Sequence, residues 1–110
     1  MSLARSVYAL TERFPQTETF GLCQQMRRAA VSVPSNIAEG HGRLTDKSFA
    51  LFLSQARGSL NELETQLDLS LLLGFTQGDS AKGAMREMDE LRRMLNALLH
   101  ELNRSSSCSK

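Results

Sequence analysis

Phe49, Leu53, Ala56, Leu60, Leu63, Leu67 and Leu71 return at steps of four and three residues, the period that lines one face of an α-helix and no face of a strand. A stripe this long and nearly unbroken restricts the chain to folds in which other helices cover it. Thr45 suits the N-cap, with Asp46 in the first turn. Gly74 suits a left-handed C-cap, and Phe75 directly after it is placed to fold back on the last turn. Gly58 lies mid-helix, and its missing side chain predicts a close neighbour there.

Three further helical patterns accompany it. Leu3, Val7, Leu10 and Phe14 predict a first helix from Ser2 to Phe14, halted before Pro15 and short beside its partners. The second runs from Glu18 or Phe20 to Gly40 or His41, with Gly21 in its first turn and Gly40 and Gly42 suiting its end. Its core seam is Leu22, Met26, Ala29, Val33 and Ile37, and a polar row of Arg28, Ser32, Asn36, Glu39 and Arg43 follows the same spacing on another face. Pro34 falls inside that pattern. It removes one backbone bond to Ala30 at a cost of about 3 kcal/mol unless the helix bends, which predicts a kink between Ala30 and Pro34. Ala29, Ala30, Ser32, Ser35 and Ala38 are small enough to let another helix come close around the bend.

After the linker Thr76-Gln77-Gly78, Asp79 or Ser80 caps a last helix marked by Ala81, Ala84, Met88, Leu91, Leu95, Leu98 and Leu102. Residues 104–110 read as a frayed, Ser-rich tail outside a bundle domain of residues 1–103. No run alternates apolar and polar residues, so the class is all-α. Short connections between successive helices favour antiparallel neighbours, which gives an up-down four-helix bundle.

The 110 residues suit one domain, and a net charge of +1 with 5% aromatic residues gives no blanket signal for nucleic acid, membrane or an acidic ligand. Apolar runs are too short and too interrupted by charge to span a bilayer, and no leader pattern opens the chain, so a soluble cytoplasmic protein is expected. Cys23 and Cys108 read as unrelated thiols without zinc-ligand spacing. His41 and His100 are isolated, no Glu-x-x-His pair supplies a bundle-type di-metal site, and Ser32, Ser35 and Ser59 lack a nearby base in sequence. The expectation is a non-enzyme without cofactor or metal. Met26, Met85, Met88 and Met94 read as core filler or interface.

Arg27, Arg28, Arg43, Lys47 and Arg57 fall in one stretch against only Glu39 and Asp46, which predicts a local positive surface able to neutralise phosphates in a salt-sensitive way. The competing reading consumes these cations structurally. Asn36 and Glu39 would satisfy backbone groups freed by Pro34 or by the helix end, and Arg43 would clamp Glu39. Glu62, Glu64 and Asp68 would pair with Arg27, Arg28 or Arg43 of the same or another subunit. Arg27 and Arg28 point about a hundred degrees apart, so one is expected buried and the other exposed.

The run from Arg27 to Arg43, Arg-Arg-Ala-Ala-Val-Ser-Val-Pro-Ser-Asn-Ile-Ala-Glu-Gly-His-Gly-Arg, carries more than a period. With Phe52-Leu53, Ala56-Arg57-Gly58-Ser59-Leu60 and Glu62-Leu63-Glu64-Thr65-Gln66-Leu67, it closely resembles the four-helix-bundle proteins named after the ribosomal RNA intervening sequences that encode some of them. The likeness extends through Tyr8, Phe14-Pro15 and Gly21-Leu22 upstream and Leu73-Gly74-Phe75 downstream. It implies a ring-shaped homopentamer related to the accessory variability proteins of diversity-generating retroelements, whose basic surfaces engage nucleic acid and reverse transcriptase. The name reflects where some genes lie and does not make these proteins ribosome components. Carried over by the resemblance, Arg27, Arg28 and Arg43 match its basic positions, and Asn36, Glu39 and Gly40 its helix-end motif. Members of this family carry about three more helical turns before the position of Leu3, so the first helix here reads as shortened, an upstream start is an open alternative, and part of a neighbouring helix is expected to be exposed or covered by another subunit. The expected partners are a second copy, RNA or DNA, and a reverse transcriptase or other protein; the alternative is an oligomeric protein-binding scaffold without nucleic acid.

Overall fold

A computed structural model of the chain describes residues 2–18 and 21–108. Four helices account for most of it: α1 (Ser2–Thr11), α2 (Leu22–His41), α3 (Asp46–Leu72) and α4 (Gly78–Cys108), with a 3-10 turn at Gln16–Glu18 between the first two. Among the described residues there is no strand. Helix α1 packs on α2 and α4, α2 on α3, and α3 on α4, while the diagonal pairs do not meet among the described residues. Arg57 reaches Asn96 while Arg92 reaches back to Asn61 and Glu64, the reversed register of an antiparallel pair. The result is the expected all-α, up-down bundle, 53 Å long and 23 by 19 Å across.

The apolar stripes close on one another as the periodicity requires. Leu53, Ala56, Leu60 and Leu63 of α3 are wholly buried, and around them lie Leu3, Val7 and Leu10 of α1, Met26, Ala30 and Val33 of α2, and Ala81, Met88 and Leu95 of α4. Burying a Leu of this kind contributes roughly 1.5–3 kcal/mol, far more than local helix propensity. Phe14 lies beyond the last turn of α1, its ring centroid 5.6 Å from that of Phe75, so two aromatic rings plug one end of the bundle.

The helix ends show which signals decide. Thr45 Oγ1 accepts from the Ser48 amide at 3.1 Å, as its N-cap position predicts. After α3, Gly74 takes φ +78°, its amide donates to Leu71, and the Phe75 amide donates to Ser70 at 2.9 Å. This paired pattern satisfies carbonyls that the helix end would otherwise orphan. Helix α1 stops at Thr11, three residues before the expected Phe14, because Arg13 and Phe14 donate to carbonyls only three residues back and tighten the chain into a turn. Glu18 belongs to the 3-10 turn and not to α2, which begins at Leu22; the alternative start at Phe20 lies outside the described residues. Helix α4 begins at Gly78, ahead of the expected cap, and stays helical through Cys108, past the point where a frayed tail was expected.

Two glycines show more than their sequence positions reveal. Helix α2 ends at His41 with Gly42 as its C-cap, as expected, and Gly40 in its last turn is buried: a Cβ there would meet Phe49 Cδ1 at 2.7 Å and Phe52 Cβ at 3.2 Å, so it also permits α2 to approach α3. Gly58 has nothing within 4 Å of where its Cβ would sit. It lies on the outer face of α3, so no intramolecular neighbour explains it. Helix α2 continues as one helix from Leu22 to His41 with Pro34 inside it.

Candidate nucleic-acid interface

The seam between α3 and α4 divides by charge along its length. Towards the start of α3, Lys47 and Arg57 line a groove of about 470 Å³ together with Thr45, Ser48, Ser54 and Asn103 and the apolar side chains of Ala50, Leu51 and Leu99, of which Leu99 is buried. None of the described lining residues is a carboxylate. Further along the seam, Glu64, Asp68 and Asp89 gather around Arg92, which bonds Glu64, while Arg93 pairs with Asp89 at 3.0 Å. An anion following the seam therefore meets cations without a lining carboxylate at one end and cations already paired with carboxylates at the other.

The groove residues share a face because Lys47, Ser54 and Arg57 fall seven and three positions apart on one helix. Arg57 is half-buried, and its Nη1 donates to Asn96 Oδ1 at 3.0 Å, which fixes the guanidinium plane and leaves the other N–H groups of its fork available. Lys47 is exposed in the first turn of α3, where it brings charge beside the positive end of the helix. Hydroxyls at Thr45, Ser48 and Ser54 suit a phosphodiester strand, which protein side chains contact through cations and hydroxyls alike.

The other three cations lie elsewhere. Arg27 is half-buried against α1: its Nε donates to Thr11 Oγ1 at 2.8 Å, and its guanidinium carbon lies 4.6 Å from the Tyr8 ring centroid. Arg28 beside it is exposed, the split expected of adjacent helical positions. Arg43 sits over the Phe52 ring at 4.6 Å and bonds Glu39 at 3.0 Å. Five cations close in sequence thus form one shared groove, with Lys47 and Arg57, and three separate positions.

The carboxylates and amides also settle differently from the pairings weighed above. Glu64 faces α4 and takes Arg92, and Glu62 accepts from Gln66 at 3.2 Å, so within the chain neither meets Arg27, Arg28 or Arg43. Asn36 Nδ2 donates to the Ser32 carbonyl and hydroxyl at 2.9 and 3.0 Å, not to the Ala30 carbonyl that Pro34 frees. Ser32 in turn meets Ser59 Oγ at 2.8 Å, which makes a polar clasp between α2 and α3. Met26 and Met88 are core residues, whereas Met85 and Met94 are exposed.

Sequence reasoning missed Ser54, Asn96 and Asn103. The spacing of Ser54 from Lys47 and Arg57 was a usable signal; the two asparagines depend on the register of α4 against α3. Among the described residues no helix is long and apolar enough to cross a membrane. A family model described as 23S rRNA-intervening sequence protein matches residues 1–97. No curated protein matches the chain.

Proposed function

The chain belongs to the 23S rRNA-intervening sequence protein family, and from that premise we propose that it is a non-catalytic, cytoplasmic RNA-binding accessory protein. The groove between α3 and α4 is its contact surface. The observation that carries this reading is the pairing of Lys47 and Arg57 in one groove whose described lining holds hydroxyls and amides but no carboxylate. Phosphates displace counterions there, and the groove reads backbone in preference to base sequence, since it offers no aromatic ring for stacking. Arg27 and Arg43 serve the fold on this reading, and Arg28 adds only long-range attraction.

Self-assembly belongs to the proposal. Leu69 and Leu72 are exposed on α3, and Gly58 earlier on the same helix leaves its outer face without a side chain. That surface suits close contact with a neighbouring subunit of a homo-oligomer, the pentamer that the family resemblance implies. Several copies of a weak groove in one ring bind one long RNA with an avidity that a single subunit lacks. The same apolar face favours a second reading, an oligomeric scaffold that binds a reverse transcriptase or another protein and no nucleic acid.

Fluorescence anisotropy with structured RNA, single strands and duplex DNA separates the two. The double variant Lys47→Glu, Arg57→Glu loses binding while its helical content and assembly remain unchanged, and Arg28→Glu retains most of it. Absence of saturable binding by the wild-type oligomer at low salt would leave the scaffold.

A further inference from the structure

The groove between α3 and α4 has a second wall, which the cations of α3 do not explain. Asn96, His100 and Asn103 follow one another on α4 at steps of four and three, a single ridge whose two ends meet α3. Asn103 lines the groove, Asn96 closes one end by accepting from Arg57, and His100 stands on the rim between them, just outside the lining. All three are exposed, so none of them is there to fill the core.

Two ties fix the level of this ridge against α3. Arg57 bonds Asn96 and Arg92 bonds Asn61, and both give the same antiparallel register. It sets Asn103 level with Ala50, which lines the same groove, and His100 level with Leu53. Along the axis of α3, Asn103 therefore lies about 4.5 Å beyond Lys47, His100 about 9 Å, and Arg57 with Asn96 about 15 Å. A cation stands at each end, with an amide and an aromatic ring between them. The nucleotide that joins two phosphates held at the ends must pass that amide and that ring.

We propose that the groove takes single-stranded RNA with one base turned out between the two bound phosphates, and that adenine is the base preferred. This rests on the RNA-binding role proposed above and adds a contact to the base. Lys47 and Arg57 hold the phosphates, the His100 imidazole stacks on the base, and the Asn103 amide, a donor and an acceptor side by side, reads its edge. An asparagine amide meets N6 and N7 of adenine with both its atoms, whereas guanine presents two acceptors at that edge. In an RNA duplex that edge lies in a groove too deep and narrow for side chains, and in a splayed single strand it is open to hydrogen bonds and to stacking on rings such as imidazole.

The test is fluorescence anisotropy with the full chain and a labelled uridine strand of about ten nucleotides carrying one central adenosine. The strand binds more tightly than the same sequence paired in a duplex. His100→Ala weakens strand binding about fivefold or more and leaves duplex binding and circular dichroism unchanged. His100→Phe restores strand binding, which a role as a cation alone would not allow. Guanosine in place of the central adenosine costs the wild type about fivefold or more and costs Asn103→Ala nothing. Strand binding by His100→Ala equal to that of wild type, or equal binding of the adenosine and guanosine strands, would overturn the proposal. The variant Lys47→Glu, Arg57→Glu separates this failure from that of the groove itself: if it alone loses binding, the groove takes RNA by its backbone only, and if it binds as wild type does, the RNA-binding role of the groove falls as well.

Discussion

Replacing Gly40 by Ala sets two known effects against each other, and the geometry decides the sign. Alanine is better than glycine in a helix by about 1 kcal/mol in the interior and less near an end, and Gly40 lies one residue from the end of α2. Against that gain, the new Cβ would stand 2.7 Å from Phe49 Cδ1 and 3.2 Å from Phe52 Cβ, where carbon atoms ordinarily rest roughly 3.5–4.0 Å apart. The Phe49 ring can turn only by giving up its packing on His41, whose centroid is 4.9 Å away. Phe52 Cβ is fixed to the backbone of α3, so the two helices must part. Overpacking of this kind costs about 1–3 kcal/mol, which leaves a net loss of about 1–2 kcal/mol. With an unfolding entropy of about 0.23 kcal/mol per kelvin for a chain this size, Tm falls by about 4–9 °C in calorimetry. Gly83→Ala is the matched control: it is also helical, nothing lies within 4 Å of its would-be Cβ, and it raises stability by about 0.5–1 kcal/mol. A Gly40→Ala protein as stable as wild type would refute the close approach of α2 and α3 at this point.

Other substitutions probe the remaining interactions. Arg27→Ala removes the bond to Thr11 and the stack on Tyr8; it lowers stability in urea by about 1–2 kcal/mol and leaves RNA affinity within twofold or so, and a large loss of affinity without loss of stability would reverse the structural role given to Arg27. Pro34→Ala restores the amide that can donate to Ala30 and raises stability by about 1–2 kcal/mol after the looser unfolded chain is counted; a lower midpoint would mean that a bend at Pro34 is needed for packing. Gly58→Gln shifts the assembly to smaller species in sedimentation velocity while far-ultraviolet circular dichroism is unchanged, and an unaltered assembly would remove the neighbouring subunit from the outer face of α3.

The order and class of the helices were legible because burial in a bundle is a property of spacing. Leu53, Ala56, Leu60, Leu63 and Leu67 are all at most 1% exposed, as their three-four rhythm required. Gly74 was legible for a different reason: a left-handed cap needs a residue without a Cβ penalty, and the following Phe75 anchors it. Gly40 was legible only in part: a glycine near a helix end signals the end and a close approach alike, and only the placement of Phe49 and Phe52 reveals the second. The places of the arginines were hidden for a related reason. Neighbours in sequence diverge around a helix, so Arg27 turned to α1 while Lys47 and Arg57, ten positions apart, shared one groove. Partners across helices, such as Arg92 for Glu64 and Asn96 for Arg57, depend on the register that the connection from Gly74 to Gln77 imposes, and spacing within one helix carries no information about it.

The salt dependence of RNA binding tests the proposed function most directly. Each phosphate contact to single-stranded RNA contributes about 0.7 to the slope of log affinity against log salt. If Lys47 and Arg57 each neutralise a phosphate, the double variant Lys47→Gln, Arg57→Gln binds more weakly and its slope is shallower than wild type by about 1.4 per subunit engaged. Parallel salt plots of equal affinity for the two proteins would contradict the account and remove the groove between α3 and α4 from RNA recognition.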